Sequence, residues 1–530
     1  MNVNFMKLNT TLVLSLFLLL GACVTKTKES QEAKAKKTNL LFIMTDQQRF
    51  DALRIAGNRQ IITPNLDKLA GDGAFFTNAY TPCPVCVPAR ASILTGFSNE
   101  NTRVTNNSVA YAEDQNGVMP MTTFDEVLAE NGYTCAYFGK WHAPLAKGAV
   151  YMNELPAAGL SKSEYGRGMK LQYTDYLDVK WPIRPLEEGE YYDTFSGRPY
   201  KADPIDPQYG KDEKVKVKQN DLYGELTFPA EHSVTAFHGR QTIEALEQLK
   251  DKPFSITCSF NPPHAPMVSV KKYRDMYNVD ELTIPNSIHD PMDNSPYRTT
   301  AGRLKYTEYA DEHKVPYMVL NYYALVTEID EWVGKILSKL DELGLSDNTL
   351  VIFTSDHGEM LGAHGMRGKF NFYEESAHIP LLIKYPGEIK KSTKVDGYVS
   401  TVDLYATILD YLKIDPIPSD GSSLRDMIEQ KPTTHGEYVV IEWLRDDKSS
   451  NYMVLSDGWK LICGYVDNAN MMDALYNLKD DPYETINLLG NNPDRKKYDK
   501  KVEELKAQLI EWLEKTGSKN LEKLKNRKTI

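Results

Sequence analysis

Four short apolar runs in this chain end alike, on polar residues that can do chemistry. "NLLFIMTD" runs from Asn39 into Asp46, "YTCAYFGKWH" from Tyr133 into Lys140 and His142, "FSITCSFNPPH" from Phe254 into His264, and "TLVIFTSDH" from Thr349 into Asp356 and His357. Continuous β-branched and aromatic runs of this length predict strands buried on both faces, as in a parallel sheet. Parallel strands need crossovers, and helical spacing predicts them over Leu66 to Ala70, Phe124 to Glu130, Ala236 to Leu249 and Met318 to Leu343. In the last of these, Tyr322, Val326, Ile329, Val333, Ile336 and Leu340 share one stripe. The expected fold class is α/β: a large mixed, mostly parallel sheet sandwiched by helices. In such sheets sites gather beyond the carboxyl ends of the strands, which is where the four polar termini would emerge.

A chain of 530 residues is long enough for one large domain with a smaller companion. Its net charge is -11 and no basic run appears before the lysine-rich C-terminus, so a nucleic-acid surface is not expected. The first residues read as a targeting segment. Lys7 is followed by an apolar run from Thr11 to Leu20, too short to span a bilayer core of roughly 30 Å, and then by "LGAC" at Leu20 to Cys23. That order resembles a bacterial lipoprotein signal over residues 1–22, with Cys23 the site of lipidation and residues 23–38 a flexible tether. Ordinary secretion is the alternative. Either reading places the protein outside the cytoplasm, as an exported chain attached to a membrane by lipid only.

Residues 39–435 carry the strand and helix alternation and read as the main, catalytic domain. Two stretches fit it poorly: Met152 to Pro229 and Val268 to Asp311 are rich in Tyr, Pro, Gly and charge without clear periodicity, and their aromatics suggest binding walls. From about Gly436 the character changes. "YVVIEW", "YMVLSD" and "WKLICGY" alternate as short antiparallel strands, and Val502, Leu505, Leu509 and Leu513 lie on one helical stripe. Residues 436–515 are therefore expected to form an α+β subdomain, with residues 516–530 a disordered basic tail.

Five cysteines remain after Cys23: Cys83, Cys86, Cys135, Cys258 and Cys463. An odd number with one close pair is no disulfide framework, and nothing completes a zinc site around Cys83 and Cys86. The stretch after Cys86 is more informative, because it reads C-x-P-x-R-x-x-x-x-T-G through Pro88, Arg90, Thr95 and Gly96. Pro88 suits the first turn of a helix and Gly96 its end, which puts Cys86 at a positive helix N-terminus with Arg90 on the same face. Such a place depresses a thiol pKa and attracts anions.

The segment "TPNLDKLAGDGAFFTNAYTPCPVCVPARASILTG", with "TDQQR" before it and "GKWH", "SDHGEMLGAHG" and "GKFNFYEES" after it, resembles the formylglycine-dependent sulfatases of the alkaline-phosphatase superfamily. The resemblance runs from about Asn39 to Leu489, with the motifs in the family's order. It implies an alkaline-phosphatase-like fold and a sulfatase activity. Cys86 matches the cysteine that a maturation enzyme, here an implied partner, oxidises to formylglycine, the nucleophile once hydrated. Cys83 becomes a passive neighbour. Arg90 matches the arginine bracing that group and its metal, Lys140 and His142 the pair contacting its oxygens, and His264 and Lys369 the groups gripping the sulfate and the leaving oxygen. Asp46, Gln47, Asp356 and His357 match the metal ligands, completed by the group at position 86.

Two departures stand out: many members carry Asp-Asp where this chain has Asp46-Gln47, and Asp-Asn where it has Asp356-His357. Oxygen donors suit Ca2+, whereas an imidazole is softer, so Ca2+ is expected with Mg2+ and Mn2+ as alternatives and His357 alternatively beside the ligands rather than among them. A sulfated carbohydrate is the expected substrate: a glycosaminoglycan, mucin glycan or algal polysaccharide fragment. Arg184, Arg198 and Arg367 are candidate partners for its acidic groups, and His364 and Arg367 for the sugar subsite. Choline sulfatases and phosphonate or phosphate-ester hydrolases share the "TDQQR" opening and remain rivals. From another class, so does a glycan-binding lipoprotein without catalysis.

Overall fold

The computed structural model describes residues 36–107, 118–119, 121–144, 172–210, 221–298, 307–444, 450–463 and 472–528. Residues 1–35, with the expected signal and the lipidation site Cys23, lie outside them. Thr38–Ile530 form one compact unit.

Its centre is a seven-stranded sheet in the order Thr393–Val395, Ala74–Phe76, Leu381–Lys384, Thr349–Ser355, Asn39–Asp46, Phe254–Pro263, Thr134–Gly139. The last four in that order are mutually parallel and are the four apolar runs of the sequence. Leu381–Lys384 runs antiparallel to both of its neighbours, which makes the sheet mixed. Thr45 pairs with Ser355 and Gly139 with Ser259, so these three strands end almost level. A register shift between Met44 and Asp46 brings Asp46 opposite Pro263, one residue before His264.

The central strand shows why both faces must be apolar. Leu40, Phe42 and Met44 pack on one side with Val87, Ala91, Phe124, Leu404 and Ile408 from the helices Cys86–Thr95, Phe124–Glu130 and Asp403–Tyr411. Leu41 and Ile43 pack on the other with Leu66, Ala245, Leu249, Ile329 and Val333 from Pro64–Gly71, Val234–Leu249 and Val315–Glu342. Each fully buried side chain of this kind contributes about 2 kcal/mol of transfer free energy, before the entropy of ordering is counted against it.

The C-terminal strands Tyr438–Leu444, Ser450–Ser456, Trp459–Cys463 and Ala474–Asn477 form an antiparallel sheet. One face covers Val502, Leu505, Leu509 and Leu513 of the helix Asp499–Lys515. The other covers Tyr80, Met360, Phe372 and Tyr373 of the main domain. Two expectations are corrected here. The basic tail is not free: residues Leu521–Asn526 are helical, and Leu524 is buried against the same helix stripe, because one leucine per turn suffices to hold a short helix on a packed surface. The aperiodic stretches also contain order. Glu190–Tyr192, Pro199–Ala202, Tyr223–Leu226 and Met267–Val270 make a small second sheet, and Tyr173, Tyr200 and Tyr223 are buried in it or beneath it rather than standing as open walls.

Candidate active site

Cys86 opens the helix Cys86–Thr95, and Gly96 closes it at φ 73° with its N–H on the Ser92 carbonyl. The motif thus folds as its proline and glycine predict. The Cys86 sulfur is 2.8 Å from Lys369 Nζ, 3.1 Å from His357 Nε2 and 3.8 Å from Asp46 Oδ1. Burial acts to raise its pKa, but Lys369, then Lys140, His357 and a hydrogen bond with His142 overcome it and hold the thiol well below its ordinary value. Burial pushes Cys83, three residues earlier, in the opposite direction. Two thiols shifted apart in this way do not make a balanced redox pair, and both are free.

Around Cys86 the four strand ends deliver their polar residues. Lys140 Nζ donates to Asp46 Oδ2. Arg90, fully buried, donates from Nε to Asp356 Oδ2 at 2.7 Å and from Nη1 to the Lys140 carbonyl at 2.5 Å and Ser259 Oγ at 2.9 Å. Burial and the Cys86 sulfur work to raise the Asp46 carboxyl, yet Lys140, His264 and Lys369 leave it well below the carboxylate range. His264 donates from Nδ1 to the Ala265 carbonyl at 2.7 Å, since a carbonyl can only accept, and its Nε2 is left as the working atom. Burial first, then the lysines, lower the pKa of His264. The same two causes keep His142 below its ordinary value, although a hydrogen bond with Cys86 opposes them.

Asp46, Cys86, Asp356 and His357 are all buried and present ligand atoms within 4.8 Å of one another. The His357 Nδ1–H donates to the Gly358 carbonyl at 2.9 Å, so the Nε2 lone pair is turned inward, as a ligand requires. Gln47 stands beside them at φ 74°, a left-handed conformation uncommon for a residue with a side chain. Its Oε1 accepts from Lys369 Nζ at 2.8 Å and its backbone N–H donates to Asp356 Oδ1 at 3.1 Å. Two carboxylates, an amide oxygen and an inward imidazole converging in a buried place make a donor set that fits a divalent cation.

Sequence reasoning missed the residues that hold this set. Glu359 is buried and accepts from Gln47 Nε2, the Leu361 N–H and the Gly368 N–H. Tyr322 of the long helix donates its hydroxyl to the Gln47 carbonyl at 2.7 Å. Ser259 Oγ donates to the Lys140 carbonyl at 2.7 Å. Nothing local in the sequence marks any of the three for this work.

The expected sugar contacts fare differently. His364 has no exposed side chain; its Nδ1 is 2.7 Å from Asp290 and its ring stacks on Tyr373 at 3.9 Å. It is buried, seated by the nearby Tyr373 ring and by a carboxylate, Asp290, that lies far from it in sequence. Arg184 makes paired hydrogen bonds to Glu190 at 2.7 Å each, and Arg198 is buried against Asp178 and the Trp181 carbonyl. Arg367 binds Asp221 and lies over the Tyr309 ring. These guanidiniums tie the chain's own segments together, because each has a carboxylate of the chain within reach.

Residues 38–414 match the family model described as Sulfatase, and residues 362–515 match the model described as N-sulphoglucosamine sulphohydrolase, C-terminal. The chain is 30% identical over 495 residues to an arylsulfatase of Clostridium perfringens, covering 90% of this chain and 95% of that protein. It is 28% identical over 570 residues to an N-acetylglucosamine-6-O-sulfatase of Bacteroides thetaiotaomicron, covering 98% and 93%. Among solved structures, a protein in complex with its substrate D-glucosamine-2-N,6-O-disulfate superposes with a TM-score of 0.67 at 24% identity, covering 92% of this chain and 99% of that one.

Proposed function

This chain belongs to the sulfatase family, and from that premise we propose that it hydrolyses sulfate monoesters of carbohydrates at the Cys86 centre, after conversion of Cys86 to formylglycine. The observation that carries the site is the position of the Cys86 sulfur, buried at a helix N-terminus between Lys369 at 2.8 Å and His357 at 3.1 Å. A sugar ester is supported by relatives named for sulfated glucosamine and by the likeness to the sulphoglucosamine sulphohydrolase C-terminal model.

Formylglycine, once hydrated, supplies the oxygen nucleophile. A divalent cation, for which Ca2+ is our choice on the oxygen donors, would be held by Asp46, Gln47, Asp356 and His357 and would supply a fixed positive charge beside it. Arg90, Lys140 and Lys369 outnumber the Asp46 and Asp356 carboxylates, so the pocket favours the anionic ester and the negative charge that develops on its oxygens. Lys369 Nζ faces the sulfur of Cys86 and neutralises charge at the bridging oxygen. His264, held at Nδ1 by Ala265, gives a proton from Nε2 to the leaving alcohol, its basicity restored by the bound sulfate anion. Burial and Lys140 hold the His142 pKa below its ordinary value, which favours the unprotonated ring and suits it to take the proton from the group at position 86 when sulfate is expelled.

Mass spectrometry of the Cys86 peptide tests the conversion: the residue should lose sulfur and two hydrogens and gain one oxygen. Cys86→Ala should abolish sulfate release. A panel of sulfated mono- and disaccharides, choline sulfate and an aryl phosphonate ester assigns the substrate. Turnover of the phosphonate or the choline ester with none of the sugars would overturn the carbohydrate assignment. An active enzyme holding only the unmodified thiol would overturn the nucleophile. We also propose, on "LGAC" alone, an exported lipoprotein lipidated at Cys23. Unchanged membrane association of Cys23→Ala would overturn it.

A further inference from the structure

We propose that Phe370 and Trp443 form an aromatic platform at the mouth of the Cys86 site, on which the ring of the substrate's leaving group stacks. The inference rests on the sulfatase reading above and adds to it a specificity determinant: the alcohol that departs is carried on a flat or chair-shaped ring with an apolar face.

Phe370 directly follows Lys369, whose ammonium touches the Cys86 sulfur at 2.8 Å. Its backbone N–H donates to the carbonyl of Pro84, two residues before Cys86, at 3.3 Å. The residue is therefore tied on one side to the lysine facing the scissile bond and on the other to the segment that delivers the nucleophile. Despite this setting its side chain is 43% exposed. A large aromatic left in water beside a buried charged centre forgoes burial that a core position would give it. It is also held at φ 75°, a conformation that strains a bulky residue. Strain and exposure at one position are retained where they serve a site, since either is removed by a glycine or a polar residue.

Trp443 is the second half of the platform. It lies on Tyr438–Leu444 of the C-terminal sheet, half-buried against that sheet's core, with its ring centroid 5.8 Å from that of Phe370 and the planes at 42°. The contact fixes the Phe370 ring from behind and adds a second apolar surface. Anchored to both the Lys369 and the Pro84 segments and open to solvent, the Phe370 ring is the surface we assign to the group that the bridging oxygen carries. A sugar ring offers C–H groups on one face and an aryl ring a π-face, and both stack on such a surface. An acyclic alkyl group cannot cover it.

The test compares an aryl sulfate with a short alkyl sulfate on the matured, metal-loaded enzyme. Phe370→Ala should raise KM for the aryl ester about tenfold, the size of one lost stacking contact, with kcat within about threefold, and leave kcat/KM for the alkyl ester within about twofold. Phe370→Tyr should behave as the parent, and Trp443→Ala should show a smaller loss of the same pattern. Equal losses on both esters would overturn the platform and make Phe370 a support for Lys369, and so would no change on either. If the parent releases no sulfate from any sulfated sugar, the carbohydrate reading falls, while the aryl and alkyl comparison still decides the platform.

Discussion

Glu359 accepts the side-chain amide of Gln47 and thereby turns Gln47 Oε1 toward the buried centre, 2.8 Å from Lys369 Nζ. The same carboxylate takes the backbone N–H of Gly368, next to Lys369, so one acidic group sets both the proposed cation ligand Gln47 and the segment carrying Lys369. Glu359→Ala should lower divalent-metal affinity about 10- to 100-fold, read by titration against a chelator, because Gln47 can then rotate its nitrogen inward. Stability should fall by about 2 kcal/mol from the unpaired donors, read in urea. Unchanged metal affinity would show that the Gln47 amide keeps its orientation without Glu359, through Lys369.

Lys460 is the bolt between the two sheets. Its ammonium is fully buried, 2.7 Å from Glu374 Oε1, 2.7 Å from Glu484 Oε1 and 2.9 Å from the Phe372 carbonyl. Burial opposes ionisation of Glu374, but Lys460 and His378 hold its carboxyl well below the usual range. Burial and the neighbouring Glu374 push Glu484 up to about 7, so the charge rests mainly on Glu374. Lys460→Met should therefore cost about 3–5 kcal/mol, because it leaves that carboxylate without counter-charge in a dry place. The triple variant with Glu374→Gln and Glu484→Gln should recover most of that loss. Urea midpoints of the three proteins decide it, and an undiminished single variant would show that the network is solvated.

The sequence discloses what depends on runs of like residues and hides what depends on distant pairs. Asp46, His264 and Asp356 were legible because each terminates or closely follows an apolar strand, and parallel strands bring such ends to one edge. Cys86 and Arg90 were legible from a helix with a proline in its first turn and a glycine just past its end. Glu359 was not, since its bond to Gln47 spans 312 residues and nothing local marks one carboxylate among 73 acidic residues. Nor does the sequence mark the carboxylates Asp290, Glu190 and Asp178 as partners of His364, Arg184 and Arg198, even where, as with Glu190, the partner is six residues away. Nothing in the sequence singles out Phe370; its exposure and its left-handed backbone appear only in the fold.

Glu442 gives the fold a pH dependence of defined sign. Burial, with repulsion from Glu100 and more weakly Asp420, pushes its carboxyl up to about 8, against backbone N–H groups of Glu100 and Asn99 that favour the ionised form. An unfolded glutamate titrates near 4.3. Between these values the folded chain keeps a proton that the unfolded chain has released, so this contribution to stability is full below about pH 4.3 and is lost as pH rises toward 8. Glu442→Gln should match the parent at about pH 4 and below, and exceed it at pH 8 by an amount on the order of a few kcal/mol. Urea midpoints across that range measure it, and parallel curves for the two proteins would place the titration elsewhere.

Gly139 ends the strand that delivers Lys140 and His142, and it cannot be anything larger. It sits at φ 92°, and a Cβ built there would lie 1.9 Å from the Ser259 carbonyl oxygen. That oxygen accepts the Lys140 N–H at 2.8 Å, while the Lys140 carbonyl receives Arg90 Nη1, Ser259 Oγ and the Tyr137 hydroxyl. Gly139→Ala must therefore part the strands Thr134–Gly139 and Phe254–Pro263 where these three side chains converge on the Lys140 carbonyl. The backbone change and the overlap should together cost about 2–4 kcal/mol of stability. Sulfate release should fall by about 100-fold or more, because a displacement of an ångström at Lys140 and Arg90 spoils groups that act by being fixed in advance. Ser259→Ala removes one hydroxyl from the same junction without moving the strands and should lose about tenfold. Steady-state kinetics with urea titration of both variants test the ranking, and a Gly139→Ala enzyme with parental kcat would show that Lys140 does not depend on this turn.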